Sequence, residues 1–486
     1  MNGDDARFLL TRTGFAPDRQ ELANEIGLTR ARAVDRLLAA GRATALTPLP
    51  DWALAPLPLP QAGQHATPEE RRAEQRLRSQ RYIQARAWWA GEMARTPSPL
   101  TERMTLFWHN HFVSGQDKVP WPQVMLAQNV LLRRDALGNF GTMLHDVARD
   151  PAMLRYLDGA SNRKGHPNEN FAREVMELFT LGEGHYTQRD VVESARAYTG
   201  WSVDPQQRFV WKPALHDTGV KTVLGQTGAF DGDQMLDVLL ARPETAAFVA
   251  AKLWREFISD TPDAVQVARM ADVFRASHYD IRTVLRAIFL SDAFWAQEGQ
   301  ATLARSPANF VIGTVRAFDV RYDTPQLLAD TMRGLGEDLF EPPNVKGWPG
   351  GQTWINSSTL LARERFVEQL FRSSGTGRPV VSTGTMGSMG PMAQRSPAGA
   401  APGAPGGGAG GVTDGPRPAG TGGLHFDPAV WLAAYGASPT AVPDATTRRR
   451  MVRAVLPARP IEPIEDDETG SAFLQSLLAD PVYQLE

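Results

Sequence analysis

Asn170, Arg173, Glu174 and Glu177 lie in the stretch NENFAREVMELFTLG, residues 168–182, and helical spacing puts all four on one narrow face. Phe171, Val175, Leu178 and Phe179 take the opposite, apolar side. Such a polar face has two readings. One is a solvated stripe, with Arg173 and Glu177 paired one turn apart. Arginine ahead of glutamate is the weaker order for that pair, and a helix built for solvent favours lysine with glutamate. The other is a reaction face. Two enclosed carboxylates push each other's pKa apart, so one serves as an acid while the other stays a base or ligand. We expect this face to turn inward. It should meet His109 or His111 and the His216-Asp217 loop in one cleft.

Phe107-Trp108-His109-Asn110-His111-Phe112 carries the second constellation. Leu100, Met104, Phe107, Trp108 and His111 form a helical apolar stripe, which predicts His111 inward and His109 on the other side. Two imidazoles suggest a metal, but residues two apart on a helix diverge by about 200°, so chelation requires the helix to end before His109. The metal-ligand candidates are His109, His111, Glu174 and Glu177, for a divalent ion. No metal set is assigned.

The third constellation, His216-Asp217-Thr218-Gly219-Val220-Lys221, gathers an imidazole, a carboxylate and an amine in a loop, or serves only as a turn. The fourth is PNVKGWPGGQTWINSS, 343–358. There Trp348 and Trp354 frame a Pro-Gly-Gly turn, and Ser357 or Ser358 caps the next helix. Tryptophans in loops either stack on sugar rings or plug a core. Asp158–Asn168 is an oxygen-rich loop whose spacing does not match an EF-hand.

The elements that must position these groups are helices. Thr67-Pro68-Glu69-Glu70 starts a long one that ends near Arg95, and Ser98-Pro99 opens the next in the same way. Periodicity predicts helices over 121–135, 138–149 and 187–199, the last stopping at Gly200. A β-hairpin is expected around 201–225. Further helices follow at 232–241, 243–259, 263–276, 280–292, 306–320, 325–334 and 357–372. Residues 373–424 are Gly/Pro-rich and show no apolar face, which reads as a disordered linker or insert. The class is mainly α, a large multi-helix globular domain. A core over 1–372 is expected, with a C-terminal helical segment, 425–486, packing back on it.

Composition narrows the chemistry. The chain has 486 residues and no cysteine, so disulfides, thiolate metal sites and a cysteine nucleophile are excluded. Its net charge of −3 supplies no field for nucleic acid. No apolar run is long enough to span a membrane. The acidic N-terminus, MNGDDARFLLTRTGFAP, does not read as a signal peptide. There is no GxSxG, Walker loop, dinucleotide fingerprint or HExxH.

Taken together, FWHNHF, the block from DPAMLRYLDG to ESARAYTGW, HDTGVKTVLGQTG and NVKGWPGGQTWINSSTLLAR resemble a bacterial family, domain of unknown function 1800. The likeness covers most of residues 5–372 and continues around FDPAVWLAAYG. It implies a large, mainly helical bacterial protein. Many members carry export signals, so the resemblance implies a periplasmic or secreted protein. Members are often encoded beside sulfatase-like or phosphatase-like exported proteins, so it also implies such a partner. It carries over no catalytic residue.

Three functions follow as expectations. The first is a hydrolase or lyase acting on a polysaccharide or other exported polymer. Its acid–base groups would be Glu174, Glu177, His111, His216 and Asp217. Asn170, Arg173, Arg196, Trp201, Lys221, Trp348, Trp354 and Asn356 would bind the substrate. Two carboxylates on one helix are not the usual opposed pair of a glycosidase, so Asp217 or Asp158 is an alternative partner. The second is a metal-dependent enzyme using the His/Glu cluster. The third is a non-enzymatic binding or assembly protein.

Overall fold

The computed structural model describes residues 1–57, 67–373 and 423–486. Most of the expected Gly/Pro-rich linker, 374–422, lies outside the described residues, as do 58–66 of a proline-rich connector. Helix accounts for 59% of the fold, in 21 helices among the described residues.

The N-terminal layer is α1 (Gly3–Thr13), α2 (Arg19–Glu25) and α3 (Arg30–Ala39). α4 (Pro68–Arg95) opens with the expected capping box, Thr67 and Glu70 each bonding the other's backbone N–H. α5 (Pro99–His111) also begins at a proline. Ser98, however, does not cap it; its hydroxyl turns to the Ala40 carbonyl and to Thr101. α5 is the central rod. From Leu100 through His109 every residue is buried, polar ones included. α6 (Pro122–Asp135) packs against it, and α7 (Phe140–Ala148) and α8 (Pro151–Tyr156) pack on α6.

The NENFAREVMELFT segment forms α9 (Glu169–Glu174), which continues as a π-helix over Val175–Thr180. The wide turn is visible in its bonds. Leu181 N–H reaches the Met176 carbonyl at 2.7 Å, and the Thr180 hydroxyl donates to the Val175 carbonyl, five residues back, at 2.7 Å. π segments are rare and tend to mark functional sites.

α10 (Gln188–Ala197) starts at the predicted Thr187 capping box but ends before Thr199. In place of one hairpin, two follow. β1 (Trp201–Val203) pairs with β2 (Phe209–Trp211), and β3 (Lys221–Val223) with β4 (Gln226–Gly228). The second turns on Leu224 and Gly225, both at positive φ, the geometry of a tight two-residue hairpin. Leucine at such a position gives no turn signal, so the sequence did not announce it.

Helices then resume as α11 (Gly232–Leu240), α12 (Pro243–Phe257), α13 (Ala264–Ala276), α14 (Ile281–Phe289) and α15 (Asp292–Trp295). α16 (Pro307–Ala317), α17 (Pro325–Gly334) and α18 (Ser357–Ser373) complete this part. α17 packs along α4, and α13 along α12. The last segment holds α19 (Pro428–Ala434), α20 (Ala445–Val455) and α21 (Gly470–Ala479).

Residues 423–486 are stitched into the rest. β5 (Arg321–Tyr322) pairs antiparallel with β6 (Leu424–His425). The Tyr483 hydroxyl lies 2.7 Å from that of Thr314, and Arg363 reaches Gln484 at 3.1 Å. One apolar core runs through both parts. No helix among the described residues is long and apolar enough to cross a membrane.

Candidate functional site

α5 carries Arg103, Phe107 and His111 at four-residue steps, a row that faces α12 running the other way. Arg103 meets Glu256 near one end of α12, and His111 meets Lys252 one turn earlier. At the His111 end, its Nε2 lies 3.1 Å from the Phe179 carbonyl, so that nitrogen carries the proton. Nδ1 therefore accepts from the Lys252 ammonium at 3.1 Å. Lys252 also donates to the Leu178 carbonyl at 3.3 Å. Both carbonyls end the π segment, where helix carbonyls lack partners inside the helix and attract cations. Burial, then the nearby ammonium, holds His111 well below its ordinary value. Burial pulls Lys252 down to about 8.

His109 is equally buried but points elsewhere, among Trp89, Phe340 and Trp348. Neither ring nitrogen has a hydrogen-bond partner, and burial lowers it to about 4. The two imidazoles thus diverge as the helix geometry requires. His111 has an ammonium where a cation would sit, and His109 has no carboxylate. Among the described residues no group of three or more acidic or histidine side chains fits a metal ion. The set His109, His111, Glu174 and Glu177 does not suit one.

Glu174 and Glu177 are half-buried. Burial raises Glu174, Glu177 raises it further, and Arg173, Lys346 and Lys118 oppose the shift. Glu177 accepts the Tyr186 hydroxyl. Lys118 lies on the Tyr156 ring, and Tyr156 in turn feels Glu174. Three segments therefore meet near this face: α9, the loop after FWHNHF and the NVKGW loop. Arg173 turns away from Glu177, to Glu169 at 3.3 Å and Gln188 at 2.8 Å.

The HDTGVK loop stays apart. Asp217 pairs with Arg196 at 2.8 Å, which holds its carboxyl down to about 2. His216 bonds the Thr199 carbonyl through Nδ1 at 2.9 Å. Lys221 is fully buried and donates to the Asp217 and Gly219 carbonyls. Among the described residues no hydrogen bond or ion pair links this loop to Glu174, Glu177 or His111. The single cleft expected from the sequence resolves into separate networks, because these polar groups are consumed in fixing their own loop.

The Asn170 side chain donates to the Leu157 carbonyl at 3.2 Å, and its backbone amide bonds the Asn168 side chain that caps the helix. Asn356, not Ser357 or Ser358, caps α18 by accepting the Ser358 and Thr359 amides. Trp201, Trp348 and Trp354 are all buried, so none offers an open stacking platform. Trp201 is wedged against Gly232, whose missing Cβ leaves room for its ring.

The NVKGW loop is clamped to α5. Asn110 accepts the Trp348 amide at 2.7 Å and donates to the Trp348 carbonyl at 3.2 Å. Gly347, at φ +83°, allows this approach, since a Cβ there would strike the Asn110 side chain. Gly347→Ala is expected to cost about 1–3 kcal/mol through both effects. Tryptic cleavage after exposed Lys346 should then quicken, and an unchanged rate would show that the clamp does not hold the loop.

Beneath Trp348 and Trp354 lies a polar cavity of about 100 Å³, lined among others by Arg103, Glu256, Asn309, Glu337 and Glu486. Arg103 bonds Glu256, Glu486 and the Gly14 carbonyl. Burial drives Glu337 up to about 7 and also raises Glu256, whose side chain keeps 27% exposure. None of this cluster, nor Lys252, was singled out from the sequence. Lys252 and Glu256 stand four apart and read as an ordinary surface pair, yet each bonds a different residue of α5.

Fold and site define the class: a mainly helical protein whose polar motifs gather along one buried central helix and an amide-clamped loop. The family described as protein of unknown function (DUF1800) matches residues 8–485, and the chain belongs to it. No curated protein and no solved structure matches the chain.

Proposed function

We propose that the chain is an enzyme working by carboxylate acid–base chemistry, a hydrolase or lyase acting on an exported polymer. Glu174 is its acid and Glu177 its base. One observation carries the reading. Adjacent half-buried carboxyls have unequal environments: burial and its neighbour raise Glu174, while Glu177 accepts the Tyr186 hydroxyl. Lys118 and Lys346 offset part of the negative charge on this face, which suits the approach of a polar chain. Half-exposed carboxyls suit a polymer lying across the surface better than a small molecule sealed inside.

Glu174→Gln is expected to reduce product release from a polysaccharide panel by about 100-fold or more. The melting temperature should stay equal or rise, because an amide removes the cost of ionising a partly buried acid. Activity that survives this change would sink the assignment. A non-enzymatic binding role with a sulfatase-like exported partner is the second reading. It is favoured by the internal engagement of Arg196, Asp217, Lys221 and Asn170. It predicts partner capture that Glu174→Gln leaves untouched, with no polymer degraded by the parent protein.

A further inference from the structure

Between α1 and the α20–α21 region lies a cavity of about 820 Å³, within the size range of small-molecule sites. Its lining has seven arginines against four acidic residues. Arg7 and Arg453 are drawn to Asp4. The other five make no side-chain ion pair among the described residues. Arg12 and Arg305 are 1% and 6% exposed, and each keeps an Nε with no hydrogen-bond partner. Arg12 directs its remaining N–H groups to Thr302, to the Ile258 carbonyl at 3.1 Å and to a main-chain oxygen of Glu486 at 2.9 Å. Arg12 feels the Glu486 and Asp260 carboxylates, but Arg305 makes no ion pair among the described residues, so an entering anion would lower the cost of burying its charge.

Phe8, Val452, Leu456 and Phe473 form an apolar part of the wall. Arg448 lies over the Phe473 ring at 4.1 Å and is tied to the Glu465 and Asp466 carbonyls. Arg449 and Arg459 are exposed on the lining. Arg449 bonds only the Thr446 hydroxyl, and Arg459 has no hydrogen bond or ion pair among the described residues.

We infer that this cavity binds a small amphiphilic anion, an oxyanion head on an apolar body of acyl-chain length. Unpaired arginines select the charge, and the Phe8–Phe473 wall takes the chain. The cavity shares no residue with the Glu174 face, so the inference stands apart from the acid–base reading.

Calorimetric titration of the full chain with dodecanoate, dodecyl phosphate, dodecanol and inorganic phosphate tests it, all below aggregation concentrations. At least one charged amphiphile should bind one to one, about tenfold or more tighter than dodecanol and than inorganic phosphate. Preference between the two heads identifies a carboxylate or a phosphate ligand. Arg449→Glu with Arg459→Glu should weaken that binding about tenfold, with the melting temperature retained because both side chains are exposed. Absence of saturable binding overturns the inference. So does equal affinity for dodecanol, equal affinity for inorganic phosphate, or indifference to the double charge reversal.

Discussion

Arg103→Met is expected to lower folding stability by about 3–5 kcal/mol, read as a reduced urea midpoint at unchanged slope. Methionine fills much of the same volume, so the loss is chiefly of charge. Arg103 holds Glu256, reaches Glu486 at 3.1 Å and donates to the Gly14 carbonyl at 3.2 Å. Its side chain is 5% exposed and that of Glu486 is 3% exposed. Removing the guanidinium leaves Glu256 without its ion-pair partner beside the Glu486 carboxylate, which keeps only the Asn309 amide and the nearby Arg12. Burial already holds Glu256 above the usual carboxylate range while Arg103 opposes the shift, so the variant raises it further. A carboxyl raised in the fold destabilises when ionised. The deficit should therefore be largest above neutral pH and shrink as pH falls and Glu256 takes up a proton. Arg103→Met with Glu256→Gln should recover part of the loss. A deficit below about 1 kcal/mol at pH 8 would mean the cluster does not depend on this charge.

Glu337→Gln is expected to act in the opposite direction, stabilising the protein by about 3 kcal/mol at pH 8. Glu337 is 2% exposed, and burial lifts it from 4.5 to about 7 despite the Ala308 amide it accepts at 2.8 Å. Below pH 4.5 both folded and unfolded chains hold the proton. Between 4.5 and about 7 only the fold keeps it, so parental stability declines as pH rises through that window and levels off above. Glutamine cannot ionise and still accepts the amide. The two proteins should match near pH 4.5 and separate by pH 8 in urea titrations. Parallel pH curves would show that Glu337 ionises in the fold as readily as in water.

The α4 and α10 starts were legible because capping boxes are local, contained within four residues. The mainly helical class followed from apolar spacing, and the divergence of His109 from His111 followed from helix geometry. α5 shows where periodicity stops informing. It is buried on every side, so no solvent face remains to orient it, and a lone inward imidazole became two buried ones. The π turn at Val175–Thr180 escaped because it depends on what receives its last carbonyls. His111 and Lys252, which receive them, lie far away in the chain.

The sequence alone determined the local helix starts, the absence of cysteine chemistry and the residue types on the Glu174 face. Only the tertiary structure decided which polar groups are free to react. Asp217 and Lys221 became loop supports, Asn110 a clamp, and Arg103 the centre of a cluster joined to Glu486 across nearly the whole chain. The physical reason is that a charge's role depends on its counter-charge and its burial. Both are set by residues that meet only when the helices pack.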